Sequence, residues 1–287
     1  MAEPFALPPG RGRLRPLGGL VLDRAAIGFG GISGLALAPD LTLTAVSDRG
    51  RWWTAPLLLA GGVPVGLGPL RSGPLRDSAG LPLPRGFLAD AEALAAAPEG
   101  GWYVAFEGRH RLVHYADLDG PGRPLPAPPG LAQAPGNGGI EALAVLADGR
   151  LLALAEHYAD AADPSLRRAW IGAPGAWQPR RYRPAAGFAP TGAAGLPDGG
   201  ALVLERRFAL FGGGFSCRLL RLAAEVLAGD APWAGELLLE LPPDGPAENW
   251  EAVAVARRPE GLWVALASDD NESPFQRSLL AFYAWSS

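Results

Sequence analysis

Lysine does not occur in this chain of 287 residues, cysteine and methionine occur once each, and there are 3 histidines. Because Cys217 has no second cysteine to pair with, the sequence excludes an intrachain disulfide and a thiolate metal cluster. The 25 basic residues are all arginines, and 29 acidic residues outnumber them. The resulting net charge of −4 argues against a protein that binds the phosphate backbone of nucleic acids.

Long apolar runs and targeting segments are also missing from the sequence. No stretch reaches ~18 uninterrupted apolar residues, so we expect no membrane-spanning helix. The N-terminal sequence MAEPFALPPGRGRL has no basic region followed by an apolar one. We therefore expect no signal peptide and, by default, a cytoplasmic location. The motifs of nucleophile elbows, zinc proteases and P-loops do not occur either.

The abundant residues indicate short strands joined by tight turns. The chain has 40 glycines and 30 prolines, and its 48% hydrophobic residues suffice for a sizeable core. Five segments repeat one pattern, in which an apolar run, a turn and a second apolar run end on an acidic residue. The opening polar residues of these segments are Ser33, Glu92, Glu141, Thr191 and Glu251. They lie 49 to 60 residues apart, and self-similarity at such a period is typical of a propeller or an array.

One or two further apolar runs follow each repeat, such as WWTAPLLLA from Trp52 and HRLVHYADL from His110. Three or four strands per repeat make one propeller blade. The sequence therefore predicts an all-β fold, a single closed β-propeller of five blades in one domain, residues 1–287. A sixth blade remains an alternative in the longer intervals after Trp52 and after Phe211. Because open sheet edges invite aggregation, we expect N-terminal strands within residues 1–29 to complete the last blade.

The acidic residues at both ends of the repeats predict a site in the central channel. The first strand of each blade lines the channel, and a two-strand hairpin returns to the face that it left. The closing acids should therefore lie near the same channel mouth as the opening residues. These closing acids are Asp48, Glu107, Glu156, Glu205 and Asp269 or Asp270. The first four follow their opening residues by 14 or 15 positions.

Converging carboxylates persist if protons, cations or arginines neutralise them. Ca²⁺ takes six to eight oxygen ligands, which suits two rings of acids. Arginines follow most closing acids in the sequence, among them Arg49, Arg109, Arg206 and Arg277. Guanidinium groups around such a metal would suit a phosphate or another anionic ester. The same acids could instead cap turns or form ion pairs between blades.

Several motifs together resemble the phytase-like propeller family described as having esterase-like activity. They are FGGISGLAL, DAEALA, GGIEALAVLADGRLLALAE, LPDGGALVLERRF and SDDNESPFQRSLL. The resemblance runs from about Gly30 to Trp285 and implies a bacterial β-propeller, often exported, with phosphoesterase activity. A periplasmic location is therefore an alternative to the cytoplasm. The chain departs from the family at Gly192, where an acid is frequent, and at Ala93, Ala142 and Ala252, where glycine is more usual.

Repeats and resemblance together predict a hydrolase of phosphate esters with a divalent metal, calcium first, in an acid-lined channel. We expect a small anionic ester as substrate and a monomeric protein. The expected catalytic residues are Glu141, Glu92, Glu251 and Glu156. The expected metal ligands are Glu92, Glu141, Glu251, Asp48, Glu107, Glu205 and Asp269. The expected substrate-binding residues are Arg49, Arg109, Arg206, Asp270, Asn271 and Arg277.

Two other functions remain open at this point. One is a lactonase-like propeller hydrolase of the gluconolactonase type, although its E-G-P opening motif does not occur in the chain. The other is a non-catalytic propeller that binds a ligand, because a fold does not fix a function.

Overall fold

Antiparallel strands make up nearly all the regular structure of the protein. The structure is a computed structural model that describes residues 2–7, 11–27, 30–209, 214–241, 248–271, 273 and 276–285. Within these ranges the helices are α1 (Arg24–Ile27), α2 (Ala224–Ala228) and one 3-10 turn (Leu131–Gln133). None of the described helices has the length and apolar character that crossing a bilayer requires.

The strands form five sheets, which are the blades and are numbered here in chain order. The N-terminal segment contributes β1 (Ala2–Phe5), β2 (Arg11–Gly12) and β3 (Arg15–Leu22). Blade 1 contains β4 (Ile32–Leu37), β5 (Thr42–Ser47), β6 (Arg51–Ala60), β7 (Val63–Leu67) and β8 (Arg71–Pro74). Blade 2 contains β9 (Ala91–Ala96), β10 (Trp102–Phe106), β11 (Arg111–Tyr115) and β12 (Gly122–Leu125).

The other three blades follow the same plan. Blade 3 contains β13 (Ile140–Val145), β14 (Leu151–Ala159), β15 (Arg167–Ala173) and β16 (Ala176–Tyr182). Blade 4 contains β17 (Ala189–Gly195), β18 (Ala201–Ala209), β19 (Gly214–Leu222) and β20 (Glu236–Leu241). Blade 5 contains β21 (Asn249–Arg258), β22 (Gly261–Asp269) and β23 (Leu279–Trp285).

The N-terminal strands close the ring of blades. Strand β3 pairs with β23, with Leu20 opposite Leu280, and β1 adds to the outer side of β3. The two-residue strand β2 pairs with β20 at the outer edge of blade 4. The inner strands β4, β9, β13, β17 and β21 each contact the next one around the ring, and β21 contacts β4. The chain therefore forms a closed propeller around a central channel.

The predicted all-β propeller with five blades and N-terminal closure is confirmed. The longer interval after Trp52 holds β7 and β8, which belong to blade 1. The described residues of the other long interval hold β19, α2 and β20, and the two strands belong to blade 4. No sixth sheet occurs among the described residues. Phe211 itself lies outside them.

The hydrophobic core lies between the blades. Side chains of a strand alternate between the two faces of its sheet, so each blade packs one face against each neighbour. Five clusters of buried residues result, one for each junction between neighbouring blades. Trp53 and Trp170 are among the largest fully buried side chains, which explains why tryptophans recur in the second and third strands.

The closure by β3 leads to a stability prediction. Leu20 is fully buried between β23 and the neighbouring blade, whereas Leu58 on β6 is 46% exposed. We expect Leu20→Ala to lower the free energy of unfolding by about 2–5 kcal/mol, because it opens a cavity in a packed core. The control Leu58→Ala should change it by less than about 0.5 kcal/mol. Urea denaturation checks this, and equal midpoints for the two variants would show that closure does not belong to the cooperative unit.

Candidate functional site

Each inner strand carries a β-bulge at the same point of its blade. The pairing with the second strand shifts by one residue there and leaves one residue of the inner strand without an opposite partner. The five residues left out are Ser33, Glu92, Glu141, Thr191 and Glu251. A bulge re-aims the side chain that it carries. The opening residues predicted from the sequence are thus the bulge residues, and they are called the bulge ring below.

A second ring follows from the same pairing. In blade 3, Ile140 pairs with Ala155 just before the bulge, and the next residue on β14 is Glu156. The equivalent residues of the five blades form the closing ring, which is Asp48, Glu107, Glu156, Arg206 and Asp269. Four blades therefore contribute an acid to this ring, and blade 4 contributes an arginine.

Blade 4 differs from the sequence prediction by one residue. Pro190 pairs with Glu205, so Arg206 and not Glu205 is equivalent to the other closing residues. The carboxylate of Glu205 is buried and accepts hydrogen bonds from Tyr182 Oη at 2.7 Å and the Ala185 amide at 3.3 Å. Burial raises the pKa of Glu205. The structure therefore does not bring Glu205 together with the other seven predicted acids.

Arg206 joins three blades at the centre of the site. Its guanidinium donates to Glu156 Oε1 at 2.9 Å and also contacts Glu251 Oε1 and Asn249 Oδ1. Burial opposes the charge of this arginine, but the carboxylates of Glu251, Glu141 and Glu156 raise its pKa. Arg206 thus remains charged and supplies a fixed positive charge among the acids.

Glu141 and Glu156 form a hydrogen-bonded pair of carboxyl groups with opposite pKa shifts. Burial and the charges of Glu156 and Glu92 raise the pKa of Glu141 well above its usual value. Burial would also raise the pKa of Glu156, but hydrogen bonds from His157 and Glu141 and the charge of Arg206 lower it to about 2. The opposite shifts favour a proton on Glu141 rather than on Glu156.

Three further carboxyl groups meet in blade 2. Asp90, Glu92 and Glu107 each offer an oxygen, and these oxygens all lie within 4.8 Å of one another. Burial, followed by the charge of Glu251, raises the pKa of Glu92 well above its usual value. Burial raises the pKa of Glu107 to about 7, although the Gly139 amide donates a hydrogen bond to its Oε1. Asp90 is not among the residues predicted from the sequence, where its only signal is its position two residues before Glu92.

Glycines let the second-strand acids approach the neighbouring backbone. A Cβ on Gly139 would lie 2.5 Å from His110 Nδ1 and 3.3 Å from Glu107 Oε1. A Cβ on Gly31, whose φ is +74°, would lie 2.1 Å from Asp48 Oδ1. The glycines that precede the opening residues are therefore needed for the close packing of carboxylates from the preceding or the same blade.

In blade 5, Asp269 belongs to the closing ring, whereas the next residue, Asp270, contacts other partners. Burial and the charge of Glu251 raise the pKa of Asp269 to about 7, and its Oδ1 accepts the Asn271 amide at 2.8 Å. Asp270 accepts a hydrogen bond from Ser278 and lies 3.4 Å from Arg24 Nε. The side chain of Asn271 donates to Gln276 at 2.8 Å.

The predicted arginines do not form a continuous rim. Arg49 Nε lies 3.6 Å from Asp48 Oδ2 at the channel mouth. Arg277 Nε binds Glu248 Oε1 at 2.9 Å. Arg109 has an exposed side chain, and its carbonyl accepts a hydrogen bond from Arg111. The described contacts thus connect Arg206 and Arg49 to the ring acids and do not connect Arg109 or Arg277 to them.

The channel is polar at one end and apolar at the other. At the level of Ser33 and Glu141 the channel is narrow, and the free volume there is only about 10 Å³. Beyond this point it widens to about 290 Å³ between the apolar residues of 35–37, 94–96, 143–145, 193–195 and 253–255. At this waist the inner strands lie close together, since a Cβ on Gly192 would lie 2.7 Å from the Glu251 carbonyl oxygen. An acidic side chain, frequent at that position in the family, would not fit here without a backbone shift.

Acidic side chains outnumber basic ones in this site. Eight carboxyl groups form a network in which each lies within electrostatic reach of at least one other, and they are Asp48, Asp90, Glu92, Glu107, Glu141, Glu156, Glu251 and Asp269. Arg206 is the largely buried guanidinium that contacts more than one of them. The pKa values of Glu92 and Glu141 are raised well above their usual values, and those of Glu107 and Asp269 are raised to about 7. Carboxylate oxygens are also the ligands that hard divalent cations prefer.

Comparisons with known proteins agree with the fold. The sequence model of the family described as "Phytase-like: Esterase-like activity of phytase" matches residues 27–272. No curated protein matches the chain. An endo-arabinase from Bacteroides thetaiotaomicron is 12% identical with a TM-score of 0.50, over 99% of this chain and 98% of that one.

Two other solved structures are similar at comparable identity. A gluconolactonase from Xanthomonas campestris is 12% identical with a TM-score of 0.47, over 99% of this chain and 97% of that one. A virginiamycin B lyase from Staphylococcus aureus is 9% identical with a TM-score of 0.47, over 99% and 96%. At these identities the likeness concerns the fold alone. The family match, in contrast, spans most of the sequence, and the chain therefore belongs to the phytase-like family described by the esterase-like activity of phytase.

Proposed function

We propose that the protein is a hydrolase of small anionic esters, phosphate esters first, and that it works with a divalent cation held by the acid rings. One observation carries this proposal, namely the excess of eight converging carboxyl groups over the single guanidinium of Arg206 that contacts several of them. Membership of the phytase-like family supports the reaction class.

The donor set fits a hard cation such as calcium. Carboxylate oxygens are the ligands that Ca²⁺ and Mg²⁺ prefer, and Asp90, Glu92 and Glu107 offer three within 4.8 Å of one another. Glu141 from blade 3 and Glu251 from blade 5 extend this set around the axis. A bound divalent cation would polarise the ester and lower the pKa of a water molecule. It would also favour the ionised forms of Glu92 and Glu107, whose pKa values are raised in the absence of a cation.

The Glu141–Glu156 pair combines opposite pKa shifts at the same place. The pKa of Glu156, about 2, keeps this carboxylate ionised at neutral pH, so it can accept a hydrogen bond from a water molecule or contact a cation. His157 Nδ1 contacts Glu156 Oε2 and orients that carboxylate. Glu141 has a raised pKa, and a cation bound to it would favour its ionised form.

The same charge distribution decides which substrates need the cation. A phosphate ester would be repelled by the ionised acids, so it can approach only when a cation neutralises them. Arg49 at the mouth, with a side chain that is 46% exposed, is placed to contact such a substrate. A neutral lactone or carboxyl ester would not meet this repulsion.

A substrate panel with calcium and with chelator tests the proposed function. We expect calcium-dependent turnover of phosphate monoesters, whether or not phytate is also a substrate. Turnover of lactones alone would favour the lactonase-like alternative. Calcium binding without turnover of any phosphate, carboxyl or lactone ester would favour a non-catalytic propeller and would contradict the proposal.

The cation site can be tested through Glu141. A ligand that binds only the native state adds about 2.7 kcal/mol to the free energy of unfolding at a concentration of 100 times Kd, and the melting temperature rises accordingly. We expect calcium to stabilise the wild type. The Glu141→Gln variant should fold normally in chelator but should show little of this stabilisation by calcium. Glu225→Gln, which changes an exposed acid on α2, is the matched control. The proposed cation site is contradicted if calcium, magnesium and manganese all leave the wild-type melting temperature unchanged.

Arg206 should be more important for stability than an arginine in a surface ion pair. Removing one partner of a buried pair leaves uncompensated charge and costs about 3–5 kcal/mol. We therefore expect Arg206→Gln to lose this much at pH 7.5 in chelator, and to recover part of it at pH 5.5 or with calcium. Arg221→Gln breaks an exposed pair with Asp198 and should cost at most about 1 kcal/mol. Equal losses in urea denaturation for both variants would contradict the central role of Arg206.

The metal-free protein should become less stable as pH rises from 5 to 8. In the folded state Glu107 and Asp269 have a pKa of about 7, against ordinary values of 4.5 and 3.8. Between these values the unfolded chain has already lost protons that the folded chain retains, so unfolding becomes easier as pH rises. The stability that these two groups contribute is fully present below about pH 4 and is lost through pH 7.

Melting temperatures from pH 5 to 8.5 in chelator check this expectation. One kcal/mol corresponds to about 2–4 °C in a domain of this size range, so a decrease of several degrees is expected. The double variant Glu107→Gln/Asp269→Asn should show a flatter profile. A wild-type melting temperature that rises over this range would mean that these acids are ionised throughout.

A further inference from the structure

A second charged cavity lies on the outer strands of blade 3, away from the channel. Its volume is about 320 Å³, and three arginines line it, Arg168 on β15 and Arg180 and Arg181 on β16. Pro129 borders it from the connection before blade 3, and Asp230 borders it from blade 4. We call it the arginine cavity.

The arrangement of these arginines is unfavourable by itself. Arg168 and Arg181 lie directly opposite each other in the β15–β16 pair. Like charges at directly opposite positions of an antiparallel pair destabilise it. In a chain whose net charge is −4, three arginines around one cavity are a local concentration of positive charge.

Two of the guanidinium groups are held in place while part of their donor capacity is unused. Arg168 stacks over the Tyr158 ring at 4.4 Å, and Arg180 donates to Gln178 Oε1 at 2.9 Å. The Nε atoms of Arg168 and Arg180 are buried and have no hydrogen-bond partner in the described part of the protein. Buried donors without an acceptor are costly. These two Nε atoms are closed to solvent, so a ligand in the cavity would meet the terminal nitrogens instead, and those of Arg168 have no hydrogen bond among the described residues.

The acids that border the cavity leave part of its positive charge uncompensated. Asp230 lies 3.5 Å from Arg180 Nη2, but its side chain is 95% exposed. Asp160 Oδ1 accepts hydrogen bonds from the amides of Ala162 at 3.0 Å and Asp163 at 3.2 Å. That carboxylate therefore closes a local turn. Arg168 and Arg181 have no carboxylate within 4 Å among the described residues. The charge of Arg181 still helps to lower the pKa of Asp163, which lies closer to Arg183.

We propose that the arginine cavity binds a small dianionic oxoanion, that is, inorganic phosphate or the phosphate group of a small molecule. The planar guanidinium fork matches the oxygen spacing of phosphate. A dianion between Arg168 and Arg181 would turn their repulsion into two attractive contacts. The cavity is large enough for a phosphate with a small organic group, since binding pockets begin at about 300 Å³. This site does not depend on the function proposed for the channel.

Phosphate binding to the metal-free protein tests the proposal. Inorganic phosphate and glycerol 2-phosphate are titrated in chelator by calorimetry and thermal shift, against sodium chloride at the same ionic strength. We expect phosphate to stabilise the wild type at millimolar concentrations, and Arg168→Gln/Arg181→Gln to weaken binding at least tenfold. A stronger response to the ester than to the free anion would identify an organic phosphate as the ligand, and the reverse would identify inorganic phosphate.

Matched variants separate this site from general charge effects and from the channel. Arg15→Gln/Arg85→Gln removes two exposed arginines elsewhere and should leave phosphate binding unchanged, as should Glu141→Gln. Arg181→Gln alone, at an exposed position, replaces the double variant if that one does not fold. The proposal is overturned if phosphate stabilises the protein no more than chloride does, or if the arginine variants bind it like the wild type.

Discussion

Repulsion among carboxylates on the propeller axis is the constraint on which the site depends. Eight acids from four of the five blades form a network in which each lies within electrostatic reach of at least one other, and Arg206 from blade 4 contacts two of them. Burial adds to the repulsion because it disfavours each negative charge. The molecule meets this constraint in two ways, by the fixed charge of Arg206 and by raised pKa values of Glu92, Glu141 and Glu251, which favour their protonated forms. A divalent cation would replace those protons.

The fold imposes this convergence through a repeated backbone feature. A bulge in each inner strand selects one residue, and the hairpin pairing then fixes which residue of the second strand lies beside it. Five repeats of this geometry place ten side chains around one channel mouth. Ser33 and Thr191 fill two bulge positions with hydroxyl groups, which bind backbone carbonyls of Gly31 and Trp250. The bulge ring therefore contains two uncharged residues beside its three glutamates.

The sequence was informative about the repeats and less so about single positions. Blade number and ring closure follow from the spacing of the opening residues and from the N-terminal strand, because both reflect the pairing of long segments. Glu205 and Arg206 could not be distinguished, because a shift of one residue moves a side chain to the other face of a strand. The spacing of 14 instead of 15 residues was the available signal. Asp90 and Glu248, the partner of Arg277, lie in connections outside the strands, whose conformation no strand pattern predicts.

Proton release on calcium binding tests the central claim most directly, because it reports whether the acid rings exchange protons for a cation. Calorimetric titration at pH 6 in two buffers of different ionisation enthalpy measures it. Since Glu107 and Asp269 have a pKa of about 7 and Glu92 and Glu141 have raised values, we predict release of one or more protons per calcium ion at pH 6 and fewer at pH 8. Calcium binding with the same heat in both buffers, or no binding, would contradict this account.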